Sequence, residues 1–189
     1  MSPLKSAAIV ATLALTPACI PVCDDWNWNT RGFFEIATVD DVNRCLQGGA
    51  DPNARDERGV TPLHLVAGLS DTPAIIAALI DGGADRNARL DDGRTPLYVA
   101  AGLSDTPAII TALIEGGADP NARDAVGWTP LHVAAEHNET RAVVEALLDG
   151  GADAALRTGD GRLPIDVIPE NSALHGTDAY WRLNEGRFD

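Results

Sequence analysis

Three kinds of side chain stand here at spacings that chemistry uses. His132 and Glu136 lie one helical turn apart with His137 beside them, half of a metal-ligand set. Asp71 and Asp105 are carboxylates of the kind that serve general acid–base work in pairs. Cys19, Cys23 and Cys45 are thiols, open to cross-linking, redox exchange or metal binding. Two lesser signals accompany them. Asp-Gly steps such as Asp92-Gly93 and Asp160-Gly161 suggest calcium loops, and Gly48-Gly49 raises the question of phosphate.

The elements that would position these groups recur at a fixed period. Gly49-Ala50-Asp51-Pro52-Asn53 returns as Gly83-Ala84-Asp85-Arg86-Asn87, as Gly117-Ala118-Asp119-Pro120-Asn121 and as Gly151-Ala152-Asp153, each step 34 residues. Thr61-Pro62-Leu63-His64 returns as Thr95-Pro96-Leu97-Tyr98 and Thr129-Pro130-Leu131-His132. A period of this size marks a solenoid whose units bury their apolar faces only against one another.

One unit is readable physically. Thr61 caps a helix whose first position, Pro62, needs no N–H donor, and Leu63, Leu65, Val66 and Ala67 make it apolar. Gly68-Leu69-Ser70-Asp71 turns the chain. Thr72-Pro73 starts a second helix with Ile75, Ile76, Leu79 and Ile80 inward, and Gly82-Gly83 ends it. Thr38, Thr72, Thr106 and Thr140 hold the second-helix cap in phase, and Cys45, Leu79, Leu113 and Leu147 hold its core slot. Residues 38–47 are therefore the second helix of a degenerate first unit, with Phe33, Phe34 and Ile36 on a shortened first helix.

These motifs resemble the ankyrin repeat over about residues 31–168, and the chain is similar to exported bacterial members of that family. The resemblance implies an all-α ankyrin-repeat solenoid of helix-turn-helix units joined by β-hairpin-like turns. A capping unit at 31–49 would precede repeats at 50–83, 84–117 and 118–151 and a C-terminal cap at 152–189. The period exceeds the family's usual 33 residues by one, and the extra residue falls in the turn between the helices. In the cap, Pro169 ends a short first helix, 171–184 reads as two helical pieces broken at Gly176, and Leu174, Tyr180, Trp181 and Leu183 close the core.

Register then serves as an internal control. His132 fills the slot of His64 and Tyr98, a slot that tolerates a non-ligand, so its expected role is a hydrogen bond to the neighbouring turn rather than metal. Asp71 and Asp105 are phased copies in identical turns, where helix-start electrostatics accounts for them. The Asp-Gly turns lack the alternating oxygen ligands of a calcium loop, and the Gly-Gly pairs resemble nothing that cradles phosphate. No Cys-x-x-Cys spacing is present. No catalytic residue, metal or cofactor is expected, and the chain is read as not an enzyme.

Residues 1–18 read as a signal peptide: Lys5 starts it, Ala7 to Leu15 are apolar and Thr16-Pro17-Ala18 offers small residues for cleavage. An extension follows at 19–30. Cys19 sits where a lipoprotein would be acylated, although Thr16 stands where such signals usually carry Leu. A mature chain outside the cytosol leaves Cys23 and Cys45 free to pair, closing a loop of about 22 residues and adding about 3 kcal/mol. The alternative keeps Cys45 as a buried small hydrophobe.

A formal charge of −14, with Lys5 and thirteen arginines against 28 carboxylate residues, excludes nucleic acid as a partner and disfavours anionic membranes except through a lipid anchor. A protein partner of a monomeric scaffold is expected. The family resemblance places its surface on the turn tips and first helices. The positions are Glu57, Arg58 and Val60, then Asp91, Asp92 and Arg94, then Val126, Trp128, Glu136 and His137, and Arg162 from the cap. Trp128 stands where other units carry Val60, Arg94 and Arg162, the composition of an interface hot spot or of a stack on its own arginines. Leu69 and Leu103, in phase, read as cover for the turn. The leading expectation is a binding module in the periplasm or beyond; an effector recruiting host proteins is the alternative, and an enzyme the less favoured one.

Overall fold

In a computed structural model the described residues are Cys23, 28–138, 140–170 and 172–188. The expected signal peptide and Cys19 lie outside them. Two layers of short helices stack along one axis. First helices α1 (Arg31–Phe34), α3 (Pro62–Leu69), α5 (Pro96–Leu103) and α7 (Pro130–His137) form one layer, continued by a 3-10 turn at Pro164–Val167. Second helices α2 (Val39–Gln47), α4 (Pro73–Asp81), α6 (Pro107–Glu115), α8 (Arg141–Asp149) and α9 (Asp178–Glu185) form the other. Among the described residues there is no strand, and no helix is long and apolar enough to cross a membrane.

Helices α3 to α7 begin where Thr meets Pro, because Pro has no N–H to leave unsatisfied and its φ suits the first turn. Their length, eight or nine residues, is too short to persist alone, so burial must hold them. Leu63, Leu97 and Leu131 of the first layer meet Leu79, Leu113 and Leu147 of the second, all inaccessible to solvent. Each such leucine contributes roughly 2 kcal/mol by removal from water.

Polar side chains tie unit to unit. Asn53 donates to the Gly83 carbonyl (2.9 Å) and accepts from the Asp85 N–H (2.7 Å), and Asn121 repeats both bonds to Gly151 and Asp153. Arg55 reaches the Arg89 carbonyl (2.6 Å), Arg89 that of Arg123, and Arg123 that of Arg157. The Asp71 carboxylate accepts the Thr106 hydroxyl, and Asp105 that of Thr140, each at 3.0 Å.

The structure changes several expectations. Gly68 and Leu69 belong to α3, and the connection is shortened to 70–72. Ser70 and Ser104 accept the N–H of Thr72 and Thr106, while those threonine side chains make no cap bond. Asp71 and Asp105, each just before the N-cap of a second helix, are inter-unit acceptors as well as helix-start charges. Ile36 lies beyond α1, exposed. Of the two helical pieces expected over 171–184 only α9 is helical and 173–176 is a turn, because the six residues between Pro169 and Gly176 are too few to nucleate a helix. Leu174 and Leu183 are wholly buried there, but Trp181 is 57% exposed and closes nothing.

At the other end, Cys23 and Cys45 are brought together in disulfide geometry, with Cα atoms 5.2 Å apart. The chain next to Cys23 supplies a lid. Trp28 packs edge-on against Phe33 and donates its indole N–H to the Asp51 carbonyl (2.7 Å), and Asn29 donates to the carbonyls of Ala54 (3.0 Å) and Val60 (2.9 Å).

Candidate functional site

Each β-hairpin-like finger is built by one short side chain folding back on its backbone. Asp56 accepts the N–H groups of Arg58 and Val60, both at 2.8 Å, and Asp124 does the same for Val126 (3.0 Å) and Trp128 (2.8 Å). In the second finger Leu90 holds that position, and Asp92, two residues on, accepts from Arg94 (3.2 Å). The fingers stack by backbone bonds, Ala125 N–H to Asp92 O and Gly159 N–H to Val126 O, each 2.9 Å. Gly127 permits that approach: its φ is +87°, and a Cβ there would lie 2.7 Å from the Gly159 nitrogen.

His64 and His132 connect fingers to helices. Thr61 N–H (3.3 Å) and its hydroxyl (2.9 Å) meet His64 Nδ1, while Nε2 faces the Arg94 carbonyl at 3.3 Å. A carbonyl only accepts, so the proton resides on Nε2. His132 repeats the arrangement with Thr129 and the Arg162 carbonyl (3.1 Å). Burial pushes His64 down to about 4 and lowers His132 as well. Tyr98, in the same slot, is pushed up by burial and by the Asp124 carboxylate it meets. All three side chains thus reach the next finger, a structural role. Among the described residues no group of three or more His, Cys, Asp and Glu is placed to hold a metal.

Most of the expected partner-binding residues line grooves on the side of the fingers and first helices. Arg58, Val60, Asp91, Asp92 and Arg94 line one groove between the first two fingers. Val126, Trp128 and Arg162 line another between the last two. Between α5 and α7 lies a third, of 320 Å³, walled by Arg94, Tyr98 and His137 over Val99, Leu103 and Val133. Glu57 is an exposed finger tip.

Their charges are largely matched within the face. Arg94 bonds Asp92 at 2.7 Å, which lowers the carboxyl and raises the guanidinium. Arg58 approaches Asp56 (3.9 Å), Arg162 holds Asp160 (2.8 Å) and His137 meets Glu136 (2.8 Å). Trp128 is half-buried, with the Arg162 guanidinium 5.4 Å from its ring centroid and His132 at 5.8 Å. Arg162 therefore stacks on it, while Arg94 turns to Asp92 and the central groove.

Sequence reasoning passed over Tyr98, Val99 and Val133 as site residues. Tyr98 was signalled by its break in the His64–His132 phase; Val99 and Val133 share one slot and carried no such mark. Leu103, read as turn cover, is 69% exposed, because His137 stands in the place from which a third leucine would cover it.

Over residues 36–124 and 100–168 the sequence matches the family model for ankyrin repeats (3 copies). No curated protein matches the chain.

Proposed function

The chain belongs to the ankyrin-repeat family, a protein-interaction fold, and from that premise we propose that it acts outside the cytoplasm by holding a protein partner along its fingers and first helices. The observation that carries this reading is a division of labour. Residues that recur every 34 positions, such as Arg55, Arg89 and Arg123 or Asn53 and Asn121, are spent on stacking. Residues that break the period, among them Val60, Arg94, Trp128 and His137, line three grooves on the side of the fingers and first helices. Proteins vary recognition on a fixed scaffold in this way.

Action outside the cytoplasm is supported by the N-terminal signal pattern and by the disulfide geometry of Cys23 and Cys45. Partner capture from an extract of the exported fraction tests the reading. A photo-crosslinking residue at Arg94 or Val126 should label the partner, and one at Thr111 on the opposite layer should not. Labelling from Thr111 alone, or capture unchanged by Arg94→Ala with Val126→Asp, would overturn the site.

A further inference from the structure

The face described above has an apolar floor between two lines of uncompensated carboxylates. Leu69, Val99, Leu103 and Val133 make the floor on α3, α5 and α7, and Leu103 stands 69% exposed on it. Glu57 and Asp91 rise from the fingers that precede the helices. Asp71 and Asp105 stand at the connections that follow them. Among the described residues no cation lies within ion-pair distance of these four, whereas the finger arginines Arg58, Arg94 and Arg162 are each engaged by an aspartate of their own finger. The hydroxyls that Asp71 and Asp105 accept leave their charge in place.

The spacing of the two lines is set by the helices between them. An eight-residue helix is about 12 Å long, and a helix with its side chains is about 10–12 Å across. One partner helix laid across α3, α5 and α7 would fill the floor and bring each of its flanks to one carboxylate line. We propose, building on the protein-binding reading above, that the occupant of this face is a basic amphipathic helix of the partner. Its apolar stripe lies on Leu69, Val99, Leu103 and Val133, and its Lys and Arg flanks face Glu57 and Asp91 on one side and Asp71 and Asp105 on the other. A large apolar side chain of the stripe enters the 320 Å³ groove beside Leu103.

The test uses the purified protein and a labelled 18-residue helical peptide with leucine on one face and lysine on both flanks, read by fluorescence anisotropy. An isomer with glutamate for every lysine is the control. The lysine peptide should bind and the glutamate isomer should not. Leu103→Asp should weaken binding about tenfold although it adds a negative charge. Asp71→Asn with Asp105→Asn, which keeps an acceptor for Thr106 and Thr140, should weaken it about threefold and flatten its salt dependence. Equal or tighter binding to Leu103→Asp would mean charge attraction alone and would overturn the proposal, as would binding of the glutamate isomer. A partner crosslinked at Arg94, with no peptide binding, would sink this inference and leave the proposed function standing.

Discussion

The Asp71 carboxylate accepts the Thr106 hydroxyl at 3.0 Å across 35 residues of sequence, and Asp105 holds Thr140 identically one unit on. The clasp begins only at the second interface, because Ala37 stands before α2 where Asp71 stands before α4. Each bond is exposed, so its net value is modest, about 1 kcal/mol. Asp71→Ala and Thr106→Val should each lower the urea midpoint, and the double variant should lose little more than either. Full additivity would mean that the two side chains act independently.

The arginine ladder predicts an uneven response among exposed arginines. Arg89 carries its guanidinium to the Arg123 backbone, and so bridges two fingers. Arg58 makes only a loose pair with Asp56 at 3.9 Å. Arg89→Ala should cost about 1.5 kcal/mol, the low end of the range for a hydrogen bond from a charged group because the bond is exposed, whereas Arg58→Ala should stay within about 0.5 kcal/mol. Chemical denaturation of the two variants side by side checks this. Equal losses would show that the ladder bonds contribute nothing beyond surface charge.

Periodicity made the solenoid legible, since the Thr-Pro starts, the Leu slots and the glycine ends depend on local chemistry that repeats. The role of His64 and His132 was legible for the same reason. Other bonds that cross units were not: Asp71 to Thr106, or Arg55 to the Arg89 backbone, depend on the stacking offset, which no single unit encodes. Asn138 shows the limit well. It looks like a turn residue, yet it is buried, donating to the carbonyls of Ala101 (3.0 Å) and Ser104 (2.9 Å) of the unit before. The candidate face was read from phase breaks, which found Trp128 and Arg94 but missed the Val99–Leu103–Val133 floor. That floor arises where a small change, Leu103 to His137, removes cover.

The N-terminal lid should depend on Cys23. A link across 22 residues restricts the unfolded chain by about 3 kcal/mol. In a stacked array that loss falls first on the terminal unit. Cys23→Ser, which leaves buried Cys45 untouched, should speed amide exchange at Phe33, Phe34 and Val42 while Leu113 keeps its protection. Exchange unchanged at α1 and α2 would mean that Trp28 and Asn29 hold the lid unaided.

Acid should loosen the stack through its buried histidines. His64 is lowered to about 4 by burial, against about 6.5 in the unfolded chain, and His132 is lowered in the same direction. The unfolded state therefore binds protons that the folded state refuses as pH falls from about 6.5 toward 4. Stability from this source is complete above about 6.5 and drains away across that window, by up to about 3 kcal/mol for His64. His64→Gln isolates the effect, because Gln three residues after Thr61 still completes a capping box and does not titrate. The variant should lose less stability than the parent between pH 7.5 and pH 4.5 in urea titrations. Parallel pH profiles for the two proteins would show that His64 takes up its proton equally in the folded and unfolded chains, and that burial does not hold the imidazole neutral.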